Sequence, residues 1–289
     1  MSALGWQSRI EMEQVLDAPG VRIMRARPKV RAVDGLAVVF CSANQPDAIY
    51  PEFCGRTALI GKHALFVIET DRAWFARPGL VDLVAEEIRA EMVQNGLSSL
   101  VTLGLSLGAF PALSFAQQLP VDLAVSFSPR FSPDRRIVPD PRLLPEDLEP
   151  GWSFAAPTVE AGLRKVKAAV VIHGTLGYDR PHLRRFPDLP HVEHLVLPGA
   201  GHVSTLRLRE RGQLSAVVDA ALRLDKTAVV QAVTQAGGLP RRHVKVRGRL
   251  LIDGFAMYLE RIRIEKILHH RDSLRGSADK SIPQKGTLR

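Results

Sequence analysis

Three residues able to do nucleophilic acyl chemistry stand where short apolar runs of this chain end. The first is Ser106, in Gly104-Leu105-Ser106-Leu107-Gly108. A serine oxygen attacks a carbonyl only when it projects from the backbone beside a base. A strand turning sharply into a helix projects it, and flanking glycines let the two backbones crowd together. The next residue, Leu107, then offers its backbone N–H at the helix start, where charge developing on a substrate oxygen is stabilised. The base must leave the carboxyl end of a later strand, and an acid must orient it. After AAVVIHG (168–174) the chain reads TLGYDRPH, which supplies Asp179. After HLVLPG (194–199) it reads AGH, which supplies His202. Asp134, after the preceding apolar run, is a second candidate for the acid.

Residues so far apart converge only if their strands end on one side of a sheet. Four further apolar runs fit: LAVVF (36–40), ALFVI (64–68), LVTLG (100–104) and LAVSF (123–127). Continuous rather than alternating hydrophobicity predicts strands covered on both faces, as in a parallel sheet flanked by helices. Between the runs, Leu80, Val84, Ile88 and Met92 share one helical face, with Gly96 as a stop. LGAFPALSFAQQ predicts the helix after the serine, and QLSAVVDAALRL predicts the last core helix. Near the start, MEQVLDAPGVRIMRARP reads as an antiparallel hairpin at the sheet edge, turning at Asp17-Ala18-Pro19-Gly20. The expected fold class is α/β, a doubly wound, mostly parallel sheet with helices on both faces, plus a basic C-terminal helical extension.

In element order and at all three motif positions, the chain resembles the α/β-hydrolase superfamily over about residues 30–225. The resemblance implies that Ser106 is the nucleophile, that His202 is general base and then acid, and that Asp179 fixes the imidazole tautomer. It also implies a second oxyanion-hole donor from the loop after LAVVF. Here that loop is CSANQPDAIY, without a His-Gly-Gly-Gly pattern, so the backbone N–H of Ser42 or Ala43 is expected to act with that of Leu107. The implied reaction is cleavage of a small-molecule or acyl ester, thioester or amide through an acyl-enzyme, with no metal or organic cofactor. Acyl transfer to an alcohol uses the same residues. The reading from another class is a noncatalytic, hydrolase-like subunit that binds a partner.

Composition bounds the remaining expectations. Apolar residues make up 46% and charged residues 24% of the 289, ordinary for a globular protein. The net charge of +9 resides in residues 226–289, with 14 basic against 5 acidic residues; the rest of the chain is neutral. This argues against nucleic acid as the partner of the catalytic part. The expected domains are 1–225, catalytic, and 226–289, a basic extension. Within the first, the proline-rich segment 129–165 is a candidate lid. In the second, Leu251, Phe255, Tyr258, Leu259, Ile262 and Ile267 recur at helical spacing. That face suits the protein's own core, a second copy or a peripheral membrane contact. No secretory leader pattern opens the sequence, so a cytoplasmic setting is expected, with Cys41 and Cys54 as reduced thiols. Trp74, Phe75 and His173 are candidates for the substrate pocket. His191 and His194 sit on opposite faces of a strand and are not expected to share a metal.

Overall fold

In the computed structural model, residues 5–43, 50–140 and 148–244 are described. Strands β1 (Ile10–Ala18) and β2 (Val21–Pro28) form the edge hairpin. The six apolar runs become β3 (Val33–Phe40), β4 (Lys62–Glu69), β5 (Leu100–Leu105), β6 (Leu123–Phe127), β7 (Ala169–Gly174) and β8 (Val192–Leu197). These six are mutually parallel, in a sheet ordered β1-β2-β4-β3-β5-β6-β7-β8-β9. Their carboxyl ends therefore share one edge. Antiparallel β2 begins at that edge, with Val21 opposite Glu69 and Arg22 opposite Ile68.

Two apolar layers explain the unbroken hydrophobicity of the runs. On one face α1 (Cys54–Ile60), α6 (Ser204–Glu210) and α7 (Leu214–Leu222) bury Ala58, Leu208, Val217 and Val218 against Val39, Phe66, Leu103 and Ile172. On the other, α2 (Leu80–Gln94), α3 (Ala109–Ser114) and α4 (Glu160–Lys165) bury Leu80, Val84, Ile88, Leu113 and Leu163 against Val38, Leu65 and Val171. The helix after Ser106 is shorter than its apolar run suggests, passing into a 3-10 turn at Phe115–Gln117. No helix among the described residues is long and apolar enough to cross a membrane.

Two expectations about domain organisation meet a different structure. In the described parts of segment 129–165, Phe131, Val138, Val159 and Leu163 are buried in the second apolar layer. Ser132 Oγ donates to Pro157 O at 2.6 Å, and Val159 N–H to Phe131 O at 3.0 Å. Much of the segment is thus core rather than cover. The boundary at 225 also cuts through packed structure. Asp225 caps α8 (Lys226–Gln235), accepting the Ala228 N–H at 2.9 Å, and Val229, Ala232 and Val233 are buried in the first layer. Beyond it, β9 (Leu239–Pro240) pairs antiparallel with β8, a strand too short to leave a sequence pattern. The amphipathic 250–268 stretch lies outside the described residues.

These contacts change the outcome expected on truncation. Fully burying a valine contributes about 1.5–3 kcal/mol, and a fragment ending at residue 225 loses Val229 and Val233 together. It should melt roughly 10 °C below a fragment ending at residue 244, by calorimetry on both. Equal melting temperatures would show that α8 is dispensable to the unit.

Candidate active site

The turn at Ser106 is built by steric necessity. Ser106 adopts a left-handed backbone, φ 56°, a conformation that costs a non-glycine residue about 1–3 kcal/mol. Its N–H donates to Phe127 O on β6 at 3.0 Å, and its C=O accepts from the Ala109 N–H at 3.1 Å. A Cβ on Gly104 would lie 2.0 Å from Gly108 O, and one on Gly108 would lie 1.9 Å from Phe40 O. The two glycines therefore let α3 sit directly on β5 and β3. Replacing Gly108 with alanine should destabilise the fold by about 3 kcal/mol or more, read as a lower urea midpoint. An unchanged midpoint would mean that the elbow tolerates a side chain there.

Similar close packing brings in the other two residues. Gly174 ends β7 where a Cβ would stand 2.2 Å from Gly201 O, so the loop bearing His202 crosses directly over that strand end. Leu176 N–H donates to Ala200 O at 3.0 Å and Gly199 N–H to Thr175 Oγ1 at 2.9 Å, joining the loops after β7 and β8. Asp179 is the first residue of α5 (Asp179–Leu183) and is buried. His202 Nδ1 lies 2.8 Å from Asp179 Oδ2 and 3.0 Å from Oδ1, and His202 Nε2 lies 2.7 Å from Ser106 Oγ. With the carboxylate accepting Nδ1–H, Nε2 is left as the acceptor for the serine hydroxyl. The histidine side chain is 23% exposed and the aspartate 2%, so the imidazole has one open side while the carboxylate behind it is buried.

Asp134 is engaged elsewhere. Its carboxylate accepts from the Arg136 backbone N–H (2.8 Å), Nε (3.0 Å) and Nη2 (2.6 Å), and these hydrogen bonds hold it below the usual aspartate range. Ser42 is also committed: its N–H donates to Glu52 Oε2 at 3.1 Å and its Oγ to Oε1 at 2.6 Å. Of the two donors expected there, Ser42 or Ala43, Ser42 therefore has its N–H already engaged.

The expected pocket residues separate. Trp74 and Phe75 are both left-handed, φ 59°, because the N–H groups of Ala73, Trp74 and Phe75 converge on the Glu69 carboxylate at 2.8, 3.1 and 3.0 Å. Burial pushes the Glu69 carboxyl up to about 7, against those donors. Both aromatics line a cleft of about 200 Å³ with Phe110 and Phe115, whose lining does not include Ser106. His173 is fully buried, stacked edge-on against Phe186. Its Nε2–H donates to Pro129 O at 2.8 Å and its Nδ1 accepts from His194 Nε2–H at 2.9 Å. Burial lowers it to about 4, so it is a neutral structural residue on a strand covered on both faces. His191 turns away to Leu163 O. No group of three metal-ligating side chains occurs among the described residues. Cys41 and Cys54 are free and buried, and burial pushes both thiols up, which unsuits Cys41 as a nucleophile.

Some site-shaping features carry no sequence pattern. His182 follows Asp179 by three residues in α5 and is fully buried. Its Nδ1 accepts the Phe131 N–H at 3.2 Å and its Nε2–H donates to Asp140 Oδ2 at 3.0 Å. Arg130 Nε reaches the same oxygen at 3.1 Å, with its guanidinium 4.8 Å above the Trp74 ring. This network pins the helix that carries Asp179 to the segment after β6.

No protein-family model matches the chain, and no curated protein matches it. Solved structures do. An esterase from Pyrococcus furiosus aligns with a TM-score of 0.51 at 13% identity, covering 74% of this chain and 90% of that one. A candidate esterase from Staphylococcus aureus aligns with a TM-score of 0.51 at 14% identity, covering 76% and 83%. Identities this low speak to the fold alone, and that fold is the α/β-hydrolase fold.

Proposed function

We propose that this α/β-hydrolase-fold protein is a serine hydrolase that cleaves carboxylic esters through Ser106, His202 and Asp179. The observation that carries the reading is the continuous chain Ser106 Oγ–His202 Nε2 (2.7 Å) and His202 Nδ1–Asp179 Oδ2 (2.8 Å). In this reading Ser106 Oγ bonds to the ester carbonyl carbon while its proton passes to His202 Nε2. The carbonyl oxygen becomes an oxyanion facing the N–H groups of Leu107 and Ala43. Collapse breaks the bond to the alcohol, which leaves with the proton from His202. Water, deprotonated by the same imidazole, then releases the acid and restores the serine. Asp179 stays ionised throughout and stabilises the transient imidazolium. Esters suit the site better than amides because an alkoxide needs less help to leave than an amine anion.

Labelling with a fluorophosphonate probe tests this reading. The full chain should label with one-to-one stoichiometry, and Ser106→Ala should not label. A chain that neither labels nor turns over aryl esters would instead be the noncatalytic, partner-binding subunit.

A further inference from the structure

Strand β2 carries an arginine where its pattern calls for an apolar residue. Along Val21-Arg22-Ile23-Met24-Arg25-Ala26, side chains alternate between faces. Val21 and Ile23 join the apolar layer of α2 and α3, while Met24 and Ala26 join the layer of α1 and α7. Arg22 therefore takes the first inward position on the α1 face. Its register opposite Ile68 places it at the carboxyl edge of the parallel strands, where ligand sites of α/β sheets form. Its Nε and Nη2 are buried, and neither has a hydrogen-bond partner among the described residues. Buried arginines are almost always paired, since an uncompensated guanidinium loses its hydration without return. Arg25, on the same strand, obeys that rule and meets Glu91 at 2.5 Å.

The surroundings of Arg22 indicate what completes it. The end of β3 lies beside that position: Cys41 N–H donates to Val67 O at 2.9 Å, one residue before the Ile68 that stands opposite Arg22. The charge of Glu52 reaches the Cys41 thiol, but both its oxygens receive hydrogen bonds from Ser42. The group that best satisfies Arg22 from the carboxyl edge is an anion able to accept two N–H bonds, as a carboxylate or a phosphate does. In strand order β2 lies three steps from β5, each about 4.8 Å. An arginine side chain is long enough to span part of that gap, and a spacer of a few carbons on a substrate held at Ser106 would span the rest.

We propose that Arg22 binds a negatively charged group on the substrate, making this an esterase for anionic esters such as the hemiesters of short dicarboxylic acids. The inference rests on the serine-hydrolase reading, because it takes the ester carbonyl to be held at Ser106.

The test compares para-nitrophenyl butyrate with the mono-para-nitrophenyl esters of succinic and glutaric acid on the full chain, and on Arg22→Gln and Arg22→Lys. A phosphonate-bearing analogue tells carboxylate from phosphate preference. Two charge-assisted hydrogen bonds should favour the better hemiester by about 10- to 100-fold in kcat/KM. The preference should appear chiefly in KM and shrink with added salt. Arg22→Gln should bring the ratio of anionic to neutral ester close to one, and Arg22→Lys should keep part of it. Absence of any preference in the wild type overturns the proposal, as does an equal fall for both esters in Arg22→Gln, which would mark a purely structural arginine. If no ester is turned over and Ser106 does not label, the hydrolase reading fails separately. Glutarate binding, followed by calorimetric titration, then decides the matter for Arg22. Binding lost in Arg22→Gln supports the anion site, and no binding to the wild type overturns it.

Discussion

Ser106→Ala should lower ester turnover by about 10⁶-fold, to a residual rate still above that of water. The size follows from what the mutation removes and what it leaves. Alanine deletes the atom that bonds to the carbonyl carbon, and His202 then has no hydroxyl to deprotonate. The elbow backbone and the Leu107 N–H stay in place, so the oxyanion stabilisation of the proposed mechanism should survive. The fold should survive too, because the Ser106 backbone makes its own bonds to Phe127 and Ala109. Alanine at φ 56° carries the same strain as serine, so the melting temperature should move by only a few degrees. The check is kcat for an aryl ester with the serine variant purified apart from any wild-type protein, since a trace of contamination would mimic residual activity. Turnover within tenfold of wild type would remove Ser106 from the chemistry and leave its contact with His202 as a structural hydrogen bond.

Most of what positions this site was legible because it rests on local rules. The runs LAVVF, ALFVI, LVTLG, LAVSF, AAVVIHG and HLVLPG are strands because two-sided burial demands uninterrupted apolar sequence, and that demand shows residue by residue. The elbow glycines were readable for a related reason: Gly104 and Gly108 are dictated by contacts within a few residues and one neighbouring strand. What stayed hidden depends on long-range pairing. Nothing around Ser42 announces that Glu52 accepts its N–H, and nothing around Trp74 announces that Glu69 holds Trp74 and Phe75 in left-handed backbone. His173 misled because a histidine at a strand end beside the site looks the same whether it faces substrate or a second buried histidine. Only the position of His194 decides. The α8–β9 unit was hidden by composition: the basic residues further along drew the boundary to 225, while Val229 and Val233 are too few to show a periodic face on their own.

Asp179→Asn should cost roughly 10⁴-fold in kcat, whereas Asp134→Asn should stay within about threefold of wild type. The two carboxylates both follow parallel strands, and only their partners distinguish them. Asp179 accepts the His202 Nδ1–H through both oxygens, from a position that is 2% exposed. Asparagine there has nearly the same shape, so packing is preserved. Its amide nitrogen, however, donates toward Nδ1 and favours the tautomer with the proton on Nε2. That nitrogen can then no longer accept the Ser106 proton, and no negative charge remains to stabilise the imidazolium. Asp134 is buried but instead holds Arg136, whose side chain is 89% exposed, and no hydrogen bond among the described residues links that pair to His202. The measurement is kcat for both variants on one ester, with near-ultraviolet circular dichroism to confirm that each keeps its packing. A loss of the larger size in Asp134→Asn, with Asp179→Asn near wild type, would move the orienting acid from the loop after β7 to the segment after β6. In that event the 2.8 Å contact between Asp179 and His202 would be one resting arrangement of the histidine rather than its working one.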